Sequence, residues 1–325
     1  MKYLINESTD PHFNMAFDEF CLEQLPLDEP VFYLWKNSPS VIIGLNQNAY
    51  GEVDLKYLES NGIKLARRVT GGGAVYHDLQ NLNYTIVGRS NDLERDYPGY
   101  MTLIVNALRS LGVEATLSGR NDIMVEGRKV SGYAKRVWKD RLMVHGTLMY
   151  DVDIDTLTKV LAAPGGKMEA SGIASVRSRV ANLKDYLPQF KSIDELKDAL
   201  FSILAAGDGE VVLDEGQNRS IQAISDAKFS TWEWNYGRSP HTAFSKRRKF
   251  KCGTIQADFS VERGVISELG FSGDFIGSLP SKAISDLLTG CLFNEEAIKE
   301  ALKGAELSKH FDQLTVSELT SLLTE

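Results

Sequence analysis

RRVTGGGAVYHD, residues 67–78, sets two arginines before three consecutive glycines, then a small apolar step, an aromatic ring, a histidine and an aspartate. Glycine reaches backbone conformations closed to other residues and leaves its N–H groups uncovered. Arginine offers a planar fork of donors suited to carboxylate or phosphate. Together they describe a loop on which an anionic ligand can lie along the main chain. Taken alone, a glycine run is better explained as a tight turn or bulge between strands. It is neither a Walker A loop, since no Gly-Lys-Ser/Thr follows, nor a Gly-x-Gly-x-x-Gly turn. Its meaning depends on its neighbours.

Outward from the loop, VFYLW (31–35) and VIIGL (41–45) read as strands. NDIMVEGRKVSGYAKR (121–136) reads as a hairpin turning at Glu126-Gly127, and LMVHGTLMYDVD (142–153) as a further strand. Helical spacing marks Phe13, Ala16, Phe17, Phe20 and Cys21 in the stretch 13–25, and 100–112 with Gly112 as its cap. A helix over 192–204 opens on a capping pair, Ser192 and Glu195. Strands and helices do not alternate regularly, so a mixed, largely antiparallel α+β sheet is expected rather than a doubly wound parallel one.

The charged stretch SPHTAFSKRRKFK (239–251) breaks the periodicity and is read as a solvated connector. It separates a first domain, 1–243, from a small α+β domain, 250–325. There, 252–275 alternates as a hairpin or meander, and the last helix is capped by Thr315 and Glu318.

The chain has 325 residues and a net charge of −8, which argues against a nucleic-acid partner. Its three scattered cysteines form no metal or disulfide framework. The apolar runs are too short to span a bilayer, and the first residues lack a signal-peptide core. A soluble cytoplasmic monomer without a membrane partner is expected.

Several side chains gain meaning beside the glycine loop. Lys129, on a hairpin arm near Gly132, can act as a point charge on a phosphoryl or acyl oxygen; any lysine is by default a solvated one. Asp122 can hold Mg²⁺ or simply enter a strand. His145 reads as a satisfied core histidine that orders nearby backbone, and His77 as a packing or tethering residue.

In this order, NMAFDEF, VIIGLNQN, RRVTGGGAVYHDLQNLNYT, GRKVSGYAKR, HGTL, SGIASVRSRVANL (171–183) and WEWNYGRSP (232–240) resemble the blocks of lipoate–protein ligases over nearly the whole chain. The resemblance implies a fold of the biotin and lipoate ligase type, related to class II synthetases, with an accessory domain behind it. It implies ATP, Mg²⁺ and lipoate as reactants, an acyl adenylate as intermediate, and lipoyl domains or the glycine cleavage H protein as acceptors. By the same resemblance Lys129 is the catalytic lysine. Arg68, Gly73, Ala74, Val75, Tyr76, Asn83 and Lys129 contact the nucleotide, and Asp122 is the candidate Mg²⁺ ligand. Trp35, Val41, Gly71, Gly72 and His145, with Val75, line the tunnel for the lipoyl chain.

Two alternatives stand beside this. One is an octanoyl- or lipoyl-transferase of the same superfamily: some use a cysteine thioester, but no cysteine lies between Cys21 and Cys252, while the lysine-dependent ones stay open but are short and lack an accessory domain. A non-catalytic binder would be expected to lose the lysine or the glycines.

Overall fold

A computed structural model describes residues 1–118, 121–161, 178–205, 209–238, 242–276 and 278–325. The chain divides into two compact units, Met1–Leu45 with Glu52–Thr231, and Asn46–Gly51 with Trp232–Glu325.

The first unit is built on a seven-stranded sheet ordered β1 (Lys2–Tyr3), β2 (Val31–Trp35), β6 (Asn81–Arg89), β10 (Arg141–Met149), β9 (Arg128–Trp138), β8 (Asp122–Val125) and β7 (Thr116–Ser118). β1 and β2 pair in parallel, and the other neighbours are antiparallel. This is the mixed, largely antiparallel α+β architecture expected. A second sheet, β4 (Lys64–Arg67), β3 (Ser40–Ile43), β5 (Val75–His77), carries the glycine loop between β4 and β5.

Strand side chains alternate between faces. Phe32, Leu34, Leu82, Tyr84, Ile86, Leu142, Val144 and Leu148 share one face of the large sheet. They pack with Met101, Ile104, Val105 and Leu108 of the Leu93–Ser110 helix and with Leu196 and Leu200 of the Ile193–Leu204 helix. Each such side chain contributes roughly 1.5–3 kcal/mol by leaving water. The alternate residues, Trp35, Asn83, Thr85, His145 and Thr147, occupy the other face. There the Pro11–Glu23 helix packs on β6 and β10. That helix starts earlier than its apolar spacing suggests, because Asp10 accepts from the His12 and Phe13 N–H groups and proline occupies the first turn.

The hairpin forms as read. Glu126 and Gly127 take φ of 50° and 76°, the double left-handed turn suited to twisted strands. Gly112 closes its helix at φ 95°, with the Val113 N–H on Leu108 O. At the 192–204 helix only half the capping pair appears. Ser192 Oγ accepts from the Glu195 N–H, but the Glu195 carboxylate turns to the Lys191 N–H instead.

The second unit contains the meander β11 (Thr242–Phe250), β12 (Gly253–Glu262), β13 (Val265–Gly273). β11 occupies the stretch expected to be a connector. Phe244, Lys246, Arg248 and Phe250 form its half-buried row and alternate with exposed residues. Lysine and arginine fill such a row with their aliphatic stems while the charged heads reach outward. Phe244 stacks on Phe259, and Arg248 Nη1 donates to Ser321 Oγ at 2.7 Å. The units part at Thr231/Trp232, ahead of the expected 243/250 division. The final helix has a full capping box, Thr315 with Glu318. Tyr50, from the Asn46–Gly51 segment, packs its ring on Phe293 at 5.0 Å and on Tyr236 at 6.3 Å.

Candidate active site

A cavity of about 120 Å³ opens in the first unit, between the second face of the large sheet and the small sheet. Trp35, Arg68, Gly73, Ala74, Val75, Asn83, Lys129 and His145 line it. Val41, Gly71, Gly72, Tyr76 and Asp122 do not. For two of these the reason is register. Val41 pairs with Tyr76, and Ile42 with Val75, so one pair faces the cavity and the other faces away. Ile42 thus takes the lining position expected of Val41. Met15, His77, Asn121, Gly132, Tyr133, Ala134, Gly146 and Thr147 complete the lining, and the sequence marks none of them for it.

Lys129 reaches the cavity through an irregularity in its strand. Strict alternation would place it opposite Gly132 and Ala134. The β8–β9 register slips between Ile123 and Met124: Ile123 pairs with Ser131 and Met124 with Lys129, leaving Val130 as an extra residue. After the slip, Lys129 shares a face with Gly132 and Ala134. Gly132 leaves room for it, since a Cβ there would meet the Lys129 Nζ at 2.9 Å. The ammonium lies 2.7 Å from Asp122 Oδ1, an ion pair whose alignment falls short of a hydrogen bond. Both side chains are one-third exposed, so the pair contributes little to stability.

Arg68 was expected to hold phosphate. In the structure its guanidinium holds the glycine loop: Nε donates to Thr70 Oγ1 at 3.0 Å, Nη1 to Ile42 O at 3.0 Å, and Nη2 to Gly71 O and Gly73 O at 2.8 Å each. Burial lowers its pKa to about 10. The loop is tight around this fork. Gly72 takes φ 100°, and a Cβ there would lie 2.8 Å from Arg68 Nη2. A Cβ on Gly44 would collide with the Gly72 carbonyl oxygen. At Gly71 and Gly73, by contrast, a methyl group would meet nothing within 4 Å, so protein packing does not require them to be glycine.

The relay continues inward. Thr70 Oγ1 lies 2.7 Å from His145 Nε2, and His145 Nδ1 lies 2.7 Å from Asp18 Oδ2. Asp18, 1% exposed, also accepts from Tyr33 Oη at 2.5 Å and Thr85 Oγ1 at 3.0 Å. Thr85 Oγ1 in turn accepts from the Trp35 indole at 3.0 Å. His145 is therefore both a satisfied buried histidine and part of the lining. Asp18, a buried carboxylate on the inward face of an apolar helix, was the sequence signal for this network. His77 is buried too, and desolvation, followed by the charges of Arg68 and His145, lowers its pKa to about 3. Ser171–Arg177 of the block 171–183 lies outside the described residues.

Residues 10–205 match the lipoyl protein ligase A/B catalytic domain, and residues 239–323 match the bacterial lipoate protein ligase C-terminus. The chain belongs to the lipoate–protein ligase family. It is 37% identical to lipoate-protein ligase LplJ of Bacillus subtilis over 99% of this chain and all of that protein. It is 39% identical to lipoate–protein ligase 1 of Staphylococcus aureus over the full length of both. Among solved structures, a bipartite lipoate protein ligase of Thermoplasma acidophilum, described with its E2 lipoyl domain, aligns with TM-score 0.67 at 35% identity, over 73% of this chain and 96% of that one. A lipoate-protein ligase A bound with ATP aligns with TM-score 0.64 at 34% identity, over 73% and 98%. The protein is thus an enzyme of the lipoate ligase class. Among the described residues no helix is long and apolar enough to cross a membrane.

Proposed function

We propose that this ligase joins lipoate to ATP in the cavity, releasing pyrophosphate, and then passes the lipoyl group from the adenylate to an acceptor lysine, releasing AMP. The acceptors are lipoyl domains of 2-oxoacid dehydrogenase acyltransferase subunits and the glycine cleavage H protein, met in the cytoplasm by a monomeric enzyme. The observation that carries this reading is the slipped strand that brings Lys129 to the wall shared with Gly73, Ala74 and Val75. Both steps build negative charge on a phosphoryl or acyl oxygen, and a fixed ammonium beside uncovered backbone lowers that cost most where charge develops.

Gly73, Ala74 and Val75 run along the nucleotide. Tyr76, whose side chain faces away, contributes backbone groups. Asn83 adds a polar contact, and Trp35, Ile42 and His145 wall the acyl chain. Arg68 acts at one remove, by fixing the loop. No cysteine lines the cavity among the described residues, and Cys21 is fully buried, which disfavours a thioester route.

Among the described residues no three acidic, histidine or cysteine side chains cluster as a metal cage. Mg²⁺ keeps several waters and is held by one or two carboxylates with substrate phosphates, so the single carboxylate of Asp122 beside Lys129 fits that pattern. Bound there, the ion would offset phosphate charge.

The test is lipoate-dependent pyrophosphate release from MgATP, with and without a lipoyl domain, for the wild type and Lys129→Ala. Release that needs lipoate and falls at least ~10²-fold in the variant is expected. Acyl transfer from a carrier protein without lipoate-dependent release would overturn the ATP-using reaction.

A further inference from the structure

A chain of four buried side chains ends on the cavity and fixes the chemistry of its last member. Asn14 Nδ2 lies 2.9 Å from Ser8 O and 3.0 Å from Lys36 O. Backbone carbonyls only accept, so this atom is the amide nitrogen. Its third neighbour, at 2.8 Å, cannot be a donor, because an amide nitrogen does not accept; it is Asn37 Oδ1, and the two hydrogens are shared among three acceptors. The other end of the Asn37 amide is then Nδ2, and it faces His77 Nδ1 at 3.0 Å. A donor facing Nδ1 makes Nδ1 the acceptor, which leaves the single ring proton of neutral His77 on Nε2. Asn6 steadies the relay from behind by donating to Asn14 Oδ1. Asn6, Asn14, Asn37 and His77 are all buried, at 6% exposure or less.

His77 Nε2 is the end of this relay. It is buried and has no hydrogen-bond partner among the described residues, while His77 lines the cavity that Lys129 enters. A buried, unsatisfied N–H is costly to keep, so a ligand that accepts from it gains that penalty back. We propose that His77 Nε2–H is a catalytic hydrogen-bond donor to the acyl oxygen of the lipoyl group, poised by the Asn6–Asn14–Asn37 relay. The proposal rests on the acyl-adenylate reading above and assigns to a neutral imidazole what Lys129 does as a cation.

In the transfer step the acceptor amine forms the new C–N bond, and the carbonyl π pair moves onto the acyl oxygen. That pair returns as the C–O bond to phosphate breaks, AMP leaves, and the surplus amine proton passes to water. His77 gives up no proton. Its N–H meets the oxygen when the negative charge is greatest. Neutrality suits this role: a donor that is never charged cannot lose its proton to the amine. It also places no second cation beside Arg68.

The test uses synthetic lipoyl adenylate and hydroxylamine, which takes the acyl group without needing a docked acceptor protein. His77→Phe keeps a ring and removes the donor; His77→Gln returns an amide N–H near the Nε2 position. Hydroxamate formation by His77→Phe should fall about 10²-fold, with lipoate affinity changed only a few-fold and folding verified by circular dichroism. His77→Gln should recover most of the loss, which a purely structural role would not predict. Nitrogen-15 spectra of the wild type should show the His77 proton on Nε2. A His77→Phe rate within about threefold of wild type, or a proton on Nδ1, overturns the assignment. A wild type that does not accelerate hydroxamate formation at all overturns the adenylate reading itself, and this proposal with it.

Discussion

Replacing Arg68 with lysine separates a charge from a shape. The guanidinium makes four hydrogen bonds, to one hydroxyl and three carbonyls that point in different directions. An ammonium carries its donors on a single atom at the end of a flexible stem and satisfies about one of those acceptors at a time. Three bonds at about 1 kcal/mol each give an expected loss of ~3 kcal/mol. Burial brings no relief, because an ammonium is more strongly hydrated than the guanidinium it replaces. In a unit of this size that loss lowers the melting temperature by about 6–12 °C. The loop that carries Gly73 also loses its anchor, so KM for ATP and lipoate should rise about tenfold. Arg68→Met should look much the same. Thermal denaturation and pyrophosphate release, measured on both variants, decide the matter. Arg68→Lys with a wild-type melting temperature and wild-type KM, beside a crippled Arg68→Met, would mean that positive charge on the nucleotide is what counts and that the clamp is incidental.

Two glycine substitutions should behave oppositely. Gly44→Ala drives a methyl into the Gly72 carbonyl and should destabilise by roughly 1–3 kcal/mol in urea denaturation. Gly73→Ala meets nothing and should leave the urea midpoint unchanged, yet raise KM about tenfold, because its methyl projects where the ligand lies. His77 also makes stability depend on pH. Its pKa falls from 6.5 to about 3 on folding, so between those values the unfolded chain binds more protons and acid favours unfolding. At about 1.4 kcal/mol per pH unit, this residue should remove roughly 2 kcal/mol between pH 6.5 and 5. Urea denaturation at pH 7 and pH 5 should show that loss in the wild type and a smaller one in His77→Gln; equal losses would refute it.

What was legible in the sequence was local. The Glu126-Gly127 turn, the Gly112 helix end, the apolar run of β2 and the alternation of β10 and β12 are each decided within a few residues. The glycine loop and Lys129 were legible through their neighbours in the chain. What escaped was set by pairing across distance. Nothing in GRKVSG announces that Val130 is an extra residue, because a bulge is a property of two strands. Val41 was preferred to Ile42 although the two are equally apolar, and only register against β5 separates them. The bond from Asp18 to His145 closes a separation of 127 residues, and that from Asn37 to His77 one of 40. The linker reading of SKRRKFK weighed the charged heads of its side chains and not their stems.

The hexapeptide Asn46–Gly51 sets an order of assembly. It leaves the ribosome early, yet the aromatic partners of its Tyr50, at positions 236 and 293, are made much later. Contacts so far apart in the chain close late, because the entropy of a long loop must be given up first. During synthesis the Tyr50 ring therefore waits for these two partners until most of the chain has been made. A chain stopped at residue 231 lacks both partners, and its Tyr50 ring keeps neither of these contacts.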